Sequence, residues 1–188
     1  MIEDFISFVK RIFPSIDPYE AERVKSAVRQ FEETGRTYKC FTSKPFQYLA
    51  QGDIIDELPF TMLDDNARMG KYRSKGLILS NTCDLENDDN IICAPLLPIS
   101  SIDLPRDTIE KNVVYNIIFF PDHRFSDYIV DLSLINTFPK SVINKAIEKE
   151  EIKKIASLSD FGYYLFLSKL TIHFMRPEDV EVQSERVS

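Results

Sequence analysis

The sequence contains little cysteine and histidine, and it has no long apolar run. Its three cysteines form no CxxC pair and are odd in number, which argues against a disulfide framework and against a four-thiolate zinc site. The most apolar stretch, residues 161–175, is interrupted by Ser168, Lys169 and His173, and it is shorter than the roughly 20 apolar residues of a membrane span. The acidic N-terminus does not have the pattern of a secretory signal. We therefore expect a cytoplasmic protein without a membrane segment.

Positive charge is also in deficit. Lys and Arg total 23 against 30 Asp and Glu, so the formal net charge is −7. An acidic domain has no overall field that attracts a polyanion, which disfavours nonspecific binding to nucleic acid. A local cluster of basic residues leaves specific contact with RNA open. Apolar residues make up 44% of the chain, an ordinary value for a soluble globular protein that buries a core.

The N-terminal segment, residues 1–36, is predicted to be a helical hairpin. Its first half carries an apolar stripe at helical spacing. The second helix begins at an Asp17 cap, has Pro18 in its first position and ends before Gly35. We expect this hairpin to pack on the rest of the chain in one compact unit.

The middle segment, residues 37–140, has the texture of a β-structure. Short runs rich in Ile, Val, Phe and Tyr are separated by turn-forming residues, and the clearest are YKCFT, GDIIDELPF, KGLILS, NIICAPLL, NVVYNIIFF and DYIVDLSLIN. In the last run, apolar residues alternate with Asp131 and Ser133, which is typical of a strand with one solvated face. Several short strands without intervening helices predict an antiparallel barrel or sandwich.

The C-terminal segment, residues 141–188, returns to a helical pattern after Pro139. One helix is predicted over 141–158, and a last helix runs from a Ser159 cap to about Arg176, followed by a polar tail. The last helix is apolar nearly all round, so other elements or a second subunit must cover it. We therefore expect homo-oligomerisation through this helix.

The order of motifs between residues 51 and 98 resembles that of the PemK/MazF-like toxins. Gly52, Asp53 and Ile54 match the family's Gly-Asp-hydrophobic opening, the run LILS at 77–80 matches its second strand, and CAP at 93–95 is similar to its third. The resemblance implies an α+β protein in which a small SH3-like antiparallel barrel is flanked by N-terminal and C-terminal helices. It also implies a bacterial or phage toxin–antitoxin or defence context, with RNA or a protein as the partner.

The family's basic loop corresponds here to residues 61–74 and the residue that follows. This segment holds Arg68, Lys71, Arg73 and Lys75, the densest basic stretch of the barrel region. Cations beside an apolar groove can hold a phosphodiester, and an ordinary solvated loop explains the same residues. We take Arg68, Lys71 and Lys75 as candidate RNA-binding residues.

The resemblance further implies metal-independent RNA cleavage without a cofactor, using an Arg in this loop and a hydroxyl on the third strand. Arg73 would stabilise the developing negative charge. His123 is the best candidate for proton transfer, and the neighbouring Arg124 would add an RNA contact. The family's hydroxyl position falls on Leu96 or Leu97, neither of which can exchange a proton. This substitution predicts weak or absent endoribonuclease activity.

Three other interpretations stay open. Cys83 with a distant histidine could form a nucleophilic pair, although packing at a strand end explains it equally simply. The acidic residues between 84 and 89, joined by Asp53 and Asp56, could hold a magnesium ion, although they suit a solvated turn. Finally, the whole chain could be a non-enzymatic interaction module, either a dimer or a subunit of a larger complex.

Overall fold

The computed structural model describes residues 39–175 together with Val182 and Glu185. The predicted hairpin over 1–36 lies outside the described residues. The strands are β1 (Ile54–Leu63), β2 (Met69–Ile78), β3 (Asn90–Pro98), β4 (Ile117–Ile118), β5 (Tyr128–Asp131), β6 (Asn136–Pro139) and β7 (Lys154–Ala156). The helices are α1 (Thr82–Asn87), α2 (Arg106–Glu110), α3 (Lys140–Glu148) and α4 (Asp160–Met175), with a 3-10 turn at Ile99–Ser101. The α+β class is confirmed.

The strands form one antiparallel sheet in the order β4-β5-β3-β2-β1-β7, with β6 also beside β3. Strand β3 takes two partners along one edge, because β6 pairs with Asn90–Cys93 and β5 pairs with Leu96–Pro98. Within residues 39–175, the outer strands β4 and β7 do not pair with each other. The backbone pairing therefore gives an open sheet, and the closed barrel that was expected does not form through it.

One side chain spans the gap between β6 and β1. Asn136 Oδ1 accepts hydrogen bonds from the Thr61 N–H at 2.8 Å and from the Thr61 hydroxyl at 2.9 Å, and Asn136 Nδ2 donates to the Thr61 carbonyl at 3.1 Å. A side-chain amide offers both a donor and an acceptor, so it can pair with a backbone as a strand would. The far half of β1 lies close enough to β6 for Phe60 to meet Phe138 edge-on, with ring centroids 5.3 Å apart.

The basic segment predicted as a loop over 61–74 is mostly strand. Its turn is tight because Asp64 Oδ1 accepts the N–H groups of Asn66 at 2.9 Å and Arg68 at 2.8 Å. Ala67 completes the turn with a positive φ of 58°. Only residues 64–68 lie outside the ladder between β1 and β2. The loop prediction was therefore wrong, because a carboxylate-capped turn shortens the connection.

Strand alternation builds a core on each face of the sheet. One face packs under α4, with a core that includes Ile54, Leu77, Ala94, Leu96, Val130, Leu165 and Phe166. The opposite face packs under α1 and α3, with a core that includes Ile55, Leu58, Phe60, Ile78, Leu85, Phe138 and Ile143. A smaller cluster beside α2 contains Ile109, Ile117, Phe119 and Ile129. With both faces covered, the sheet residues that stay exposed in the described chain include those of the β1–β2 hairpin tip.

Helix α4 begins as predicted, since the Gly162 N–H donates to Ser159 Oγ at 3.2 Å. At Gly162 the helix approaches the preceding chain so closely that a Cβ would lie 2.0 Å from the Cys40 carbonyl oxygen. Further along α4, the buried Lys169 donates from Nζ to the carbonyls of Asn112 at 2.9 Å and Val114 at 2.5 Å. Across the described chain, no helix has the length and apolar character needed to cross a membrane.

The predicted helix over 141–158 is wrong in its second half. Helix α3 ends at Glu148, Glu150 takes a positive φ of 58°, and β7 then returns to the sheet beside β1. Ala156 of β7 pairs with Ile54 and is fully buried. Residues 141–188 therefore contribute a strand to the sheet as well as helices.

The Gly52–Asp53 pair has the structural role that its position predicts. Gly52 has a φ of 84°, and a Cβ there would lie 2.5 Å from Leu158 Cδ1. Asp53 is fully buried, and its Oδ2 accepts from the Ala50 N–H at 2.8 Å and from Lys154 Nζ at 3.0 Å. The pair therefore sets the turn into β1 and ties that turn to β7.

Candidate nucleic-acid interface

Three of the predicted basic residues form a row on strand β2. Lys71, Arg73 and Lys75 occupy alternate positions, so their side chains leave the same face of the strand, with successive residues of the row roughly 6.6 Å apart. They share this face with Leu77, which is buried under α4. We call these three residues the cationic row. It extends the α4-covered face of the sheet outward along the β1–β2 hairpin.

Arg73 is the best-placed residue of the cationic row for binding an anion. It is exposed, and its Nη1 donates to the Glu57 carbonyl at 2.9 Å. That carbonyl is available because β1 has an irregularity between Ile55 and Leu58, where Glu57 takes a φ of 58°. This contact positions the guanidinium, and its remaining N–H groups have no protein partner in the described part of the chain. An anchored guanidinium with free donors suits bidentate binding of a phosphate.

The other two members of the row differ in how free they are. Lys71 is exposed and has no carboxylate partner among residues 39–175. Lys75 is partly covered, with its Nζ 3.6 Å from Asp56 Oδ1 and 4.7 Å from the centroid of the Tyr128 ring. Arg68 stands apart in the exposed turn, where only its backbone is fixed by Asp64. Within the cationic row, Lys71 and Arg73 are therefore the two cations without a carboxylate partner among the described residues.

His123 and Arg124 lie in a second place, after β4. Arg124 makes a bidentate pair with the buried Asp122, from Nε to Oδ1 at 3.0 Å and from Nη2 to Oδ2 at 3.1 Å. Its guanidinium also lies 5.1 Å from the centroid of the Phe41 ring. Burial opposes ionisation of Asp122, but the hydrogen bonds and charge of Arg124 lower its pKa below the ordinary value. Most of the guanidinium's hydrogen-bonding capacity is thus used within the fold.

The structure does not bring Arg73 and His123 together. The strands β3 and β5 lie between β2 and β4 in the sheet, and His123 comes five residues after β4 ends. The His123 side chain is 90% exposed, and its Nδ1 lies 3.5 Å from Asp122 Oδ1. The two candidate catalytic residues share no hydrogen bond or ion pair in the part of the chain that the structure describes.

The hydroxyl groups of Ser74 and Ser101 are both used in hydrogen bonds within the fold. Ser74 Oγ donates to the Leu96 carbonyl at 2.5 Å, and Ser101 Oγ donates to the Pro98 carbonyl at 2.7 Å. Ser74 also points to the face opposite Arg73, because neighbouring residues of a strand alternate. Leu96 itself is buried in the core under α4. Neither of these two hydroxyls is therefore free beside Arg73 in the described part of the chain.

The cysteine and acidic-cluster interpretations receive no support from the described geometry. Burial raises the pKa of the Cys40 and Cys93 thiols to about 12, so neither forms a thiolate near neutral pH. Cys83 lies on α1, which packs through Leu85 on one face of the sheet. His173 lies on α4, which packs on the opposite face. Among the described residues, no group of three His, Cys, Asp or Glu side chains is arranged to hold a metal ion.

Two exposed aromatic residues, Phe46 and Tyr48, were not predicted as functional. They precede β1, and their rings stack on one another. The available sequence signal was the segment KPFQY at 44–48, in which two aromatics at alternate positions follow a lysine. Tyr128, whose ring lies beside Lys75, was predicted only as a strand residue.

Comparison with protein-family models gives no match, and no curated protein matches the sequence. Among solved structures, the chain is similar to a crystal structure of MazE–MazF from Deinococcus radiodurans, with a TM-score of 0.39 at 9% identity. The alignment covers 68% of this chain and 96% of that chain.

Proposed function

We propose that this protein is a divergent PemK/MazF-like protein that binds RNA through the cationic row, in a toxin–antitoxin or defence context. The observation that carries the proposal is the exposed, anchored guanidinium of Arg73 with free donors, beside the unpaired ammonium of Lys71. Phosphate contacts of this kind provide affinity without reading sequence. The order of motifs between residues 51 and 98 supports the family context.

RNA cleavage in this proposal is weak or absent and needs no metal. Arg73 can stabilise negative charge on a phosphate, but proton transfer needs a second group within hydrogen-bond reach of the reacting oxygen. The separation of His123 from the row and the leucine at the family's hydroxyl position both favour binding over turnover. A substrate long enough to contact both places would bring His123 nearest to a different nucleotide.

The test measures binding of a fluorescein-labelled single-stranded RNA by anisotropy across a salt series. Lys71→Ala and Arg73→Ala should each weaken binding by roughly tenfold or more, because each removes a charged hydrogen bond. Each should also reduce the salt slope by about 0.7, the value for one phosphate contact on a single strand. Matched controls are Lys111→Ala and Arg106→Ala, which remove exposed cations paired near α2. Equal losses in the controls, or no RNA binding by the native protein, would remove the proposal.

Cleavage is measured separately, in EDTA, with structured and unstructured RNA. Any activity of the native protein should be lost in Arg73→Ala. Retention of full activity in that variant would show that the cationic row is not where chemistry occurs.

A second candidate function, a protein-interaction module, is favoured by exposed apolar side chains in two places. Phe174 and Met175 at the end of α4 are 62% and 51% exposed. Met62, Leu63 and Met69 are exposed at the tip of the β1–β2 hairpin. Exposed apolar groups in clusters commonly mark interfaces, and the end of α4 is the surface through which we propose that two copies associate.

Light scattering after size-exclusion chromatography tests this candidate. A dimer that dissociates in Phe174→Ser, but not in the matched exposed variant Val142→Ser on α3, supports association through α4. A native protein that stays monomeric at high concentration rules out self-association.

A further inference from the structure

Phe46 and Tyr48 are large aromatic residues that contact each other across the surface. Their ring centroids are 5.6 Å apart and their planes differ by 12°, while the residues are 37% and 62% exposed. The chain bends at residues 47–48, between the two rings and at the second of them. Most of the Tyr48 side chain remains open to solvent. We call this pair the aromatic platform.

The platform is held by backbone contacts at both of its residues. The Phe46 N–H donates to Oγ of the fully buried Ser157 at 2.9 Å. The Tyr48 carbonyl accepts a hydrogen bond from Lys154, whose Nζ also donates to the buried Asp53. These contacts tie the segment to β7 and to the residue that follows it. The backbone of both residues is therefore fixed before any ligand arrives, which lowers the ordering cost of binding.

The segment that contains the platform is basic, although the protein carries a net charge of −7. Lys39 and Lys44 of this segment are exposed, and neither has a carboxylate partner in the described chain. Between residues 39 and 52 the sequence contains no acidic residue, and Asp53 is occupied by Lys154. Exposed stacked rings amid unpaired ammonium groups match the chemistry of a base with its phosphate.

We propose that the aromatic platform stacks a nucleobase of single-stranded RNA, as a contact separate from the cationic row. The inference rests on the proposed function, and it adds a preference for unpaired bases that phosphate contacts alone do not provide. Every base presents a π-face, so the platform tolerates sequence. Removal of one such stack typically weakens binding by roughly five- to 100-fold.

The experiment compares a ten-nucleotide single-stranded RNA with an abasic oligomer of the same length, using anisotropy. Tyr48→Ala should weaken binding of the RNA by roughly five- to 100-fold with little change in salt slope. Tyr48→Phe keeps the ring and should bind as the native protein does. Val142→Ala is the matched control, because Val142 is 54% exposed on α3, outside the cationic row and the aromatic platform. The abasic oligomer should not distinguish Tyr48→Ala from the native protein.

The outcomes separate this inference from the proposed function. RNA binding that depends on Arg73 but stays within twofold of native in Tyr48→Ala overturns the platform alone. Binding that depends on Tyr48 but not on the cationic row overturns the proposed interface and keeps the platform. If RNA does not bind at all, adenosine monophosphate is titrated while the ring protons of Tyr48 are followed by NMR, and unchanged shifts overturn the platform too. Binding of a protein by the aromatic platform, in place of the nucleotide, would also overturn the platform.

Discussion

Replacing Lys154 by methionine should destabilise this fold far more than replacing an exposed lysine. Lys154 and Asp53 form an ion pair at 3.0 Å in which the aspartate side chain is 0% exposed and the lysine side chain 12%. Methionine preserves most of the aliphatic length of lysine, so the change removes the charge and its hydrogen bonds with little loss of packing. The variant therefore leaves the Asp53 carboxylate buried without its countercharge.

The expected size of the effect follows from what remains around Asp53. After the change, Oδ2 keeps only the Ala50 N–H, and Oδ1 has no hydrogen-bond partner in the structure. Removing one member of a buried ion pair costs about 3–5 kcal/mol. Because Lys154 keeps slight contact with solvent, we expect about 3 kcal/mol, which corresponds to a fall in Tm of roughly 6–12 °C for a chain of this size.

Urea unfolding at pH 7, followed by circular dichroism, measures the free energy of unfolding. The control is Lys149→Met, since Lys149 is 69% exposed and lies 4.0 Å from Glu151, where a loss of about 0.5 kcal/mol or less is expected. The double variant with Asp53→Asn should lose at least about 1 kcal/mol less than the sum of the two single losses. A Lys154→Met protein within 1 kcal/mol of native, or strictly additive losses, would refute the reasoning.

Three more predictions concern stability. Gly162→Ala should lower the free energy of urea unfolding by about 1–3 kcal/mol, because the added methyl would overlap a backbone carbonyl. Gly70→Ala should cost much less, because a Cβ there lies 3.7 Å from its nearest neighbour. Equal losses of stability in the two variants would contradict the prediction. Burial lowers the pKa of Lys169 from 10.5 to about 8. The folded state therefore loses this proton before the unfolded state does, and the free energy of unfolding rises between about pH 8 and 10.5. Lys169→Met should remove that rise from the pH profile of stability, and an unchanged profile would contradict the prediction. Asn136→Ala should speed hydrogen exchange at the Thr61 amide by about tenfold, because roughly 1.4 kcal/mol of hydrogen bonding is lost. An unchanged exchange rate would show that the Asn136–Thr61 hydrogen bonds do not stabilise this part of the sheet.

Local signals in the sequence predicted the parts of the fold that depend on neighbouring residues. The Ser159 cap marked the start of α4, because the hydroxyl that satisfies the helix N–H groups lies in the same short segment. Gly52 and Asp53 marked the turn into β1 for a similar reason, since both the positive φ and the Ala50 hydrogen bond are local. The expectation of an antiparallel, largely β middle segment came from strand-length apolar runs, and the seven-stranded sheet agrees with it.

The prediction was wrong where a turn has the same apolar–polar alternation as a strand. The run over 127–136 alternates apolar and polar residues and was predicted as one strand, but it forms all of β5, a turn and the first residue of β6. Asp131 Oδ1 accepts the N–H and the hydroxyl of Ser133 at 2.9 and 2.5 Å, which makes the turn. Residues predicted to face solvent from a strand are instead the residues that end it. Periodicity alone does not separate these two roles.

For the predicted binding residues, the sequence likewise does not show which cations the fold pairs with a carboxylate. Arg73 and Arg124 are equally basic in the sequence, yet Arg124 is held by Asp122 and Arg73 only by a carbonyl. The segment PDHR at 121–124 places the carboxylate two residues from Arg124, so its pairing was open to prediction. The freedom of Arg73 was not, because it depends on the Glu57 carbonyl sixteen residues away.

In an acidic protein, the cations that matter for binding an anion are those that the fold leaves without a carboxylate. Lys75 and Arg124 lie near Asp56 and Asp122, and the attraction of these pairs offsets their field at a distance. Lys71 and Arg73 have no carboxylate partner in the described chain, and both are exposed on the β1–β2 hairpin. The net charge and the proposed RNA interface are therefore compatible, because the negative charge suppresses nonspecific binding while a small unpaired group selects where a strand of RNA can lie.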